Sequence, residues 1–186
     1  MTKKQITYVT GNQLKIDYLK SVLPEDEFEI IGKKIDCPEI QSDSIEEVAA
    51  FSAKWASDFL KCDVLKNDSG LVLPALNGFP SAYSKYVEQT LQADGILALM
   101  KGKENREGYY LDAFAYCEYG KEPVVFTQKS HLTIAQEKSG NHGSYFDKIC
   151  IAKGHTVTMA NLPYDEFLKC FNNEGVYKLA EYLKNK

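Results

Sequence analysis

Two stretches of strict alternation in the middle of the chain restrict its fold more than any other feature. From Tyr109 to Tyr119, residues Tyr110, Asp112, Phe114 and Tyr116 fall on one face and Leu111, Ala113, Ala115 and Cys117 on the other. A second run extends from Val124 to Ala135, and Gly120-Lys121-Glu122-Pro123 joins the two. A period of two marks a strand, so two such runs with a short link predict a long β-hairpin. The chain ahead of them reads differently. Gln5 to Val9 predicts a buried strand, Asn12 to Leu23 a helix with Leu14, Tyr18, Leu19 and Val22 at helical spacing, and Phe28 to Ile35 a second strand. Ser44, with Glu47 three residues on, has the capping-box pattern and starts a long helix through Leu60. A strand from Val64 to Lys66 follows, Asp94 starts a short helix, and helices near Asn161 to Phe171 and Glu174 to Leu183 finish the chain. A βαβ opening followed by a hairpin predicts an α/β fold with a mixed, twisted central sheet and flanking helices. With no repeat and no low-complexity linker, residues 1–186 read as a single domain.

Composition narrows the classes of partner. At 186 residues and 44% apolar, the chain can bury a core without disulfides or structural metal. A net charge of −4 and scattered lysines argue against a footprint for duplex nucleic acid, so the expected partner is a small molecule. Five cysteines, an odd number without a CxxC pair, suit a reducing compartment and imply no metal–thiolate site. The chain passes from Lys3-Lys4 directly into a short strand, which predicts a cytoplasmic protein with no membrane contact. Of the 22 basic residues only Arg106 is an arginine, so phosphate recognition here must use lysines and backbone amides rather than guanidinium forks.

Three polar loops carry the chemistry. Val64 and Leu65 lead into Asn67-Asp68-Ser69-Gly70, which predicts an acidic side chain at a strand-end turn. An ordinary Asp-Ser-Gly turn has the same composition. The second loop is Asp36-Cys37-Pro38-Glu39-Ile40-Gln41, and the third, Thr10-Gly11-Asn12, stands between a strand and a helix. Backbone amides at that helix N-terminus would face an anion, with Lys15 one turn further on. Glu39 and Asp68 are hard oxygen donors of the kind that hold magnesium against a substrate phosphate. A metal, a lysine and a carboxylate that orients or deprotonates water suffice for release of pyrophosphate.

At these loops the chain resembles the inosine triphosphate pyrophosphatase family, which hydrolyses triphosphates of deaminated purines such as inosine and xanthosine. Thr10-Gly11-Asn12 with Lys15 is similar to the family's T-G-N-x-x-K. Asp36-x-Pro38-Glu39-Ile40-Gln41 is similar to its D-x-P-E-I/Y-Q. Asp68-Ser69-Gly70-Leu71 with Leu76-x-Gly78-x-Pro80-x-x-Tyr83-Ser84 is similar to its E-D-S/T-G-L and L-x-G-x-P-G-x-Y-S. The resemblance implies two lobes around a nucleotide cleft, and a homodimer. It makes Asp68 the general base, with Lys15 beside it in catalysis, and Glu39 and Asp68 the ligands of Mg2+, for which Mn2+ can substitute. It places Thr10, Gly11, Asn12, Lys15, Ser69, Gly70, Phe146 and Asp147 against the substrate, so that a nucleoside triphosphate becomes a monophosphate and pyrophosphate.

The chain also departs from the family. Its aromatic-Gly-aromatic-Asp segment is Ser144-Tyr145-Phe146-Asp147 here, with Lys148 for the usual proline. A later lysine and a Ser-His-Arg group align with Phe167 and Phe171-Asn172-Asn173. A lysine of the second helix falls at Ser52, with Lys54 about 200° round the helix. The acid before the base is Asn67, and the glycine after Pro80 is Ser81. Two readings follow: an enzyme with altered or relaxed base choice, or a non-catalytic nucleotide-binding or interaction scaffold on the same fold.

Overall fold

The computed structural model describes residues 3–186. Strand β1 (Lys4–Val9), helix α1 (Gln13–Val22), β2 (Phe28–Lys33), α2 (Ile45–Leu60) and β3 (Val64–Val72) open the chain. Then come α3 (Ser84–Thr90), α4 (Gln92–Leu99), β4 (Glu107–Cys117), β5 (Val124–Ile134), β6 (Cys150–Ala152), α5 (Tyr164–Leu168) and α6 (Glu174–Lys184). The strands form one six-stranded sheet in the order β2-β1-β3-β4-β5-β6. β1 runs parallel to β2, with Lys4 opposite Phe28 and Val9 opposite Lys33. It also runs parallel to β3, with Tyr8 opposite Leu65. β6 is antiparallel to β5. β4 and β5 are neighbours joined by residues 118–123, a link too short for a parallel crossover, so the predicted hairpin is present. The sheet is therefore mixed, as the alternation and the βαβ opening together require.

The chain divides into two compact units, and β3, β4 and β5 each pass from one to the other. Among the described residues the first unit comprises residues 3–68, 112–128 and 173–186. Its core gathers Ile6, Leu19, Phe28, Val64, Leu65, Phe114, Val176 and Leu179, all buried. α2 contributes a buried stripe of small residues, Ala49, Ser52, Ala53 and Ala56. α6 can approach β5 because residue 175 is glycine: a Cβ there would meet the Thr127 carbonyl oxygen at 3.0 Å. The second unit comprises residues 69–111 and 129–172, with a core that includes Leu71, Leu73, Ile96, Met100, Ile134, Ile149 and Met159. Arg106 is built into this unit, donating to the carbonyls of Met100 at 3.0 Å, Ile134 at 2.8 Å and Ala135 at 2.6 Å.

Two expectations need correction. β3 does not stop at Lys66 but runs through Asn67-Asp68-Ser69-Gly70 to Val72, and the turn comes later, at residues 74–78. The helix predicted near Asn161 to Phe171 is also shorter than its sequence pattern, with α5 confined to Tyr164–Leu168. No helix among the described residues is long and apolar enough to cross a membrane.

Candidate active site

The turn between β1 and α1 forms as its residues dictate. Asn12 caps α1, its Oδ1 accepting the Leu14 N–H at 2.9 Å, while the Asn12 N–H donates to Thr10 Oγ1 at 3.0 Å. Gly11, Asn12 and Gln13 are exposed, so the positive end of the helix faces solvent. The stem of Lys34 lies over Gly11, where a Cβ would sit 3.1 Å from Lys34 Cδ. Lys15, half-buried, reaches β3 and donates from Nζ to the Asn67 carbonyl at 3.2 Å. The lysine of the first helical turn and the strand bearing Asp68 thus meet within the first unit.

Asp68 is half-buried within β3, not on a free turn. Residues two apart on a strand share a face, so Lys66 and Asp68 lie together and Asn67 lies opposite. Lys66 is within hydrogen-bonding reach of the Cys37 thiol. Burial raises the ionisation range of that thiol, Lys66 opposes the rise, and Asp36 and Glu39 reinforce it. The exposed segment that carries Glu39 therefore comes against β3 at Lys66.

The sequence reading missed a second carboxylate. Asp112, on β4, stands beside Asn67, whose Nδ2 also donates to the Ala113 carbonyl at 3.3 Å. Asp112 is half-buried, and the desolvation of its carboxyl raises its pKa to about 6. Lys15, Gln128 and Asn67 favour its charged form, and Asp68 disfavours it. A polar chain supports it from behind. Gln128 Nε2 lies 3.5 Å from Asp112 Oδ2 and donates to the Tyr18 hydroxyl at 2.8 Å, which donates to Asn173 Oδ1 at 2.9 Å. The signal in the sequence was a lone carboxylate on the otherwise aromatic face of the first hairpin strand.

In the second unit, Ser69 is half-buried and Gly70 buried on β3. Phe146 is buried, at 2% exposure, and the ring open to solvent in this segment is that of Tyr145, with Lys148 Nζ 5.7 Å above it. The Asp147 carboxylate is buried too, its Oδ2 accepting the Ser144 N–H at 2.6 Å, while Ser144 Oγ accepts the Asp147 N–H at 3.3 Å. Burial raises its ionisation range. Glu88 of α3 secures the same segment by accepting the Phe146 N–H at 3.1 Å.

The positions where cations were expected have structural work instead. Ser52 is buried, and Lys54 pairs with Asp58 at 3.0 Å. Phe167 packs edge-on against Phe171, with ring centroids 5.5 Å apart, and Phe171 meets Tyr110 at 6.2 Å. The Asn172 N–H donates to Ser130 Oγ at 2.9 Å, and Asn173 holds Tyr18. Among the described residues no three His, Cys, Asp or Glu side chains are grouped as a ready-made metal site. Glu39 and Asp68 are oxygen donors of the kind magnesium takes alongside waters and substrate phosphates.

Comparison with known proteins places the chain in a family. The model of the Ham1 family matches residues 6–171. The chain is 38% identical over 182 residues to a dITP/XTP pyrophosphatase of Methanopyrus kandleri, with 97% of both chains covered. It is 35% identical over 182 residues to a dITP/XTP pyrophosphatase of Methanosarcina acetivorans, covering 92% of this chain and 99% of that one. A HAM1 protein from Coxiella burnetii superposes with a TM-score of 0.80 at 21% identity, covering 98% of this chain and 99% of that one. The Staphylococcus aureus Ham1 protein superposes with a TM-score of 0.79 at 25% identity, with the same coverage. The match in sequence and fold runs through nearly the whole chain, which belongs to the Ham1 family.

Proposed function

We propose that this protein is a nucleoside triphosphate pyrophosphatase, which hydrolyses a nucleoside triphosphate to the monophosphate and pyrophosphate. The observation that carries the reading is Lys15 Nζ at the Asn67 carbonyl, which joins an exposed helix N-terminus to the strand bearing Asp68. The names of the relatives point the same way. The phosphates lie on the Thr10-Gly11-Asn12 turn, held by backbone amides of the first turn of α1 and by Lys15. Asp68 accepts a proton from the attacking water as the new P–O bond forms, and the anhydride bond to pyrophosphate breaks. Half-burial within a strand fixes the direction of that carboxylate better than a loose turn would. Ser69, Gly70, Phe146 and Asp147 complete the substrate contacts. Glu39 and Asp68 would hold Mg2+, or Mn2+, which when bound neutralises charge on the phosphates.

The protein is proposed to be cytoplasmic, on its odd number of cysteines, and homodimeric, on the family resemblance and on exposed aromatic rings such as Phe59 and Tyr86. Light scattering should give a mass twice the 21.0 kDa of the chain. The scaffold reading draws on the structural duties of Phe167, Asn172 and Asn173, which leave none of the expected cations there.

One experiment separates enzyme from scaffold: pyrophosphate release from a panel of nucleoside triphosphates with magnesium. Asp68→Asn should abolish release while keeping the wild-type melting transition. Lys15→Ala should raise KM for the triphosphate. Absence of release by the wild type from every nucleotide, with magnesium or manganese, would establish the scaffold instead.

A further inference from the structure

β3 and β4 carry an exchange of side chains around Asp68. The residue before Asp68 is an asparagine, where the resemblance leads one to expect an acid. On the adjacent strand, in side-chain hydrogen-bonding contact with that asparagine, stands Asp112. An acid is therefore still present one strand over, on the side of β3 that Asn67 faces and within electrostatic reach of Asp68. Lys15 is the cation acting on it, and the Lys15 ammonium is anchored one residue from Asp68 at the Asn67 carbonyl. Behind Asp112 the Gln128, Tyr18 and Asn173 side chains form a continuous polar chain, with Gln128 at 2% exposure. A carboxylate braced in this way holds one orientation, and a lysine facing it loses the freedom of its four-carbon stem.

We propose that Asp112 is a positioning residue, taking over from the neighbouring strand the part that an acid at position 67 would play by fixing the Lys15 ammonium beside Asp68. This rests on the pyrophosphatase reading above. Asp112 itself does not touch the reacting atoms. It limits the arrangements of the lysine that does, a loss of freedom settled before the substrate arrives.

The kinetic signature follows from charge. Removing a carboxylate near the phosphates cannot weaken anion binding electrostatically, whereas a loosened lysine lowers turnover. Asp112→Asn should reduce kcat about tenfold or more, with KM unchanged or lower, the pattern of an interaction that matters in the transition state. Asn67→Asp placed in the Asp112→Asn background should recover most of the lost kcat, since the carboxylate returns to the same neighbourhood from β3. A residue needed only for packing would not be replaced from another strand. Melting temperatures for both variants establish that they fold.

A second readout is independent of turnover: the rate of reductive methylation of Lys15 Nζ, followed by mass spectrometry. It should rise in Asp112→Asn and fall back in the double variant. If the wild type releases no pyrophosphate, the enzyme reading fails while the methylation result still decides the positioning role. Unchanged kcat in a folded Asp112→Asn protein, failure of the double variant to recover kcat, or equal Lys15 methylation in all three proteins would overturn the proposal.

Discussion

Asp112 is held where both burial and the charge of Asp68 oppose its ionisation, which raises its pKa from 3.8 to about 6 despite Lys15 and Gln128. The sign of the consequence is fixed by linkage. The folded protein binds the Asp112 proton more tightly than the unfolded chain, so this contribution to stability is full below about pH 4 and is lost as pH rises through about 6. At pH 8 the ionised carboxylate costs the fold up to ~3 kcal/mol, on the order of 1.4 kcal/mol for each tenfold gain in proton affinity on folding. In metal-free buffer, urea unfolding of Asp112→Asn should show higher stability than the wild type at pH 8, with the gap closing by pH 4. Lower stability than the wild type at pH 8 would contradict this. A variant that is more stable yet turns over more slowly is the trade expected where an unfavourable charge is kept for function. Other residues were easier to read. Thr10, Asn12 and Lys15 declared themselves because their roles depend on neighbours a few positions away. Asp112, Gln128 and Asn173 acquire theirs only from long-range pairing of β3, β4 and β5 and the docking of α6, which no local pattern encodes.

The elements differ in how much of them is local. α2 is almost wholly so: Ser44 Oγ accepts the Glu47 N–H at 3.2 Å, as the Ser-x-x-Glu spacing predicts. The return bond of the capping box is rerouted, because the Ser44 N–H donates to Ser42 Oγ at 3.0 Å and that hydroxyl donates to Glu47 Oε2 at 2.7 Å. Ser44→Ala should cost about 1 kcal/mol of unfolding free energy, and Ser44→Asp only a fraction of it, since aspartate caps equally well. Chemical denaturation of the two variants distinguishes this from a surface serine of no consequence, for which both changes would be neutral. The hairpin of β4 and β5 was legible for a similar reason, each strand being a long run of 11 residues on either side of a short link. β3 was not. Asn67, Asp68, Ser69 and Gly70 prefer turns on their own, but β3 pairs with β1 on one side and lies beside β4 on the other, and the ladder keeps them extended. That override matters for the proposed chemistry, because strand geometry puts Lys66 on the same face as Asp68, a second lysine on the side of the proposed base that the shorter predicted strand hid.

At the scale of the whole molecule, the proposed chemistry and the proposed recognition of the base fall in different units. Lys15, Asp68 and Asp112 belong to the first, while Phe146 and Asp147 belong to the second. The first unit keeps the groups proposed to act on phosphates, which are common to every nucleotide. The second unit has given its distinguishing positions to its own core: Phe167 and Phe171 pack with Tyr110, and Asn172 bonds Ser130 and the Lys129 carbonyl. Asn173, in the first unit, is committed to Tyr18. A reader of a 6-oxo purine discriminates chiefly by leaving a buried polar group unpaired when the wrong base binds, and a group already paired within the protein imposes no such penalty. Selectivity among bases should therefore be shallow, with kcat/KM for inosine triphosphate less than a hundredfold above that for adenosine triphosphate, a span of roughly 2.7 kcal/mol. Asp147 retains a carboxylate bound to the Ser144 N–H, so Asp147→Ala should alter the ratio among bases more than it alters the inhibition constant of inorganic triphosphate used as a competitive inhibitor. A preference well beyond a hundredfold, kept in Asp147→Ala, would mean that a group outside Phe146, Asp147 and residues 167–173 distinguishes the base.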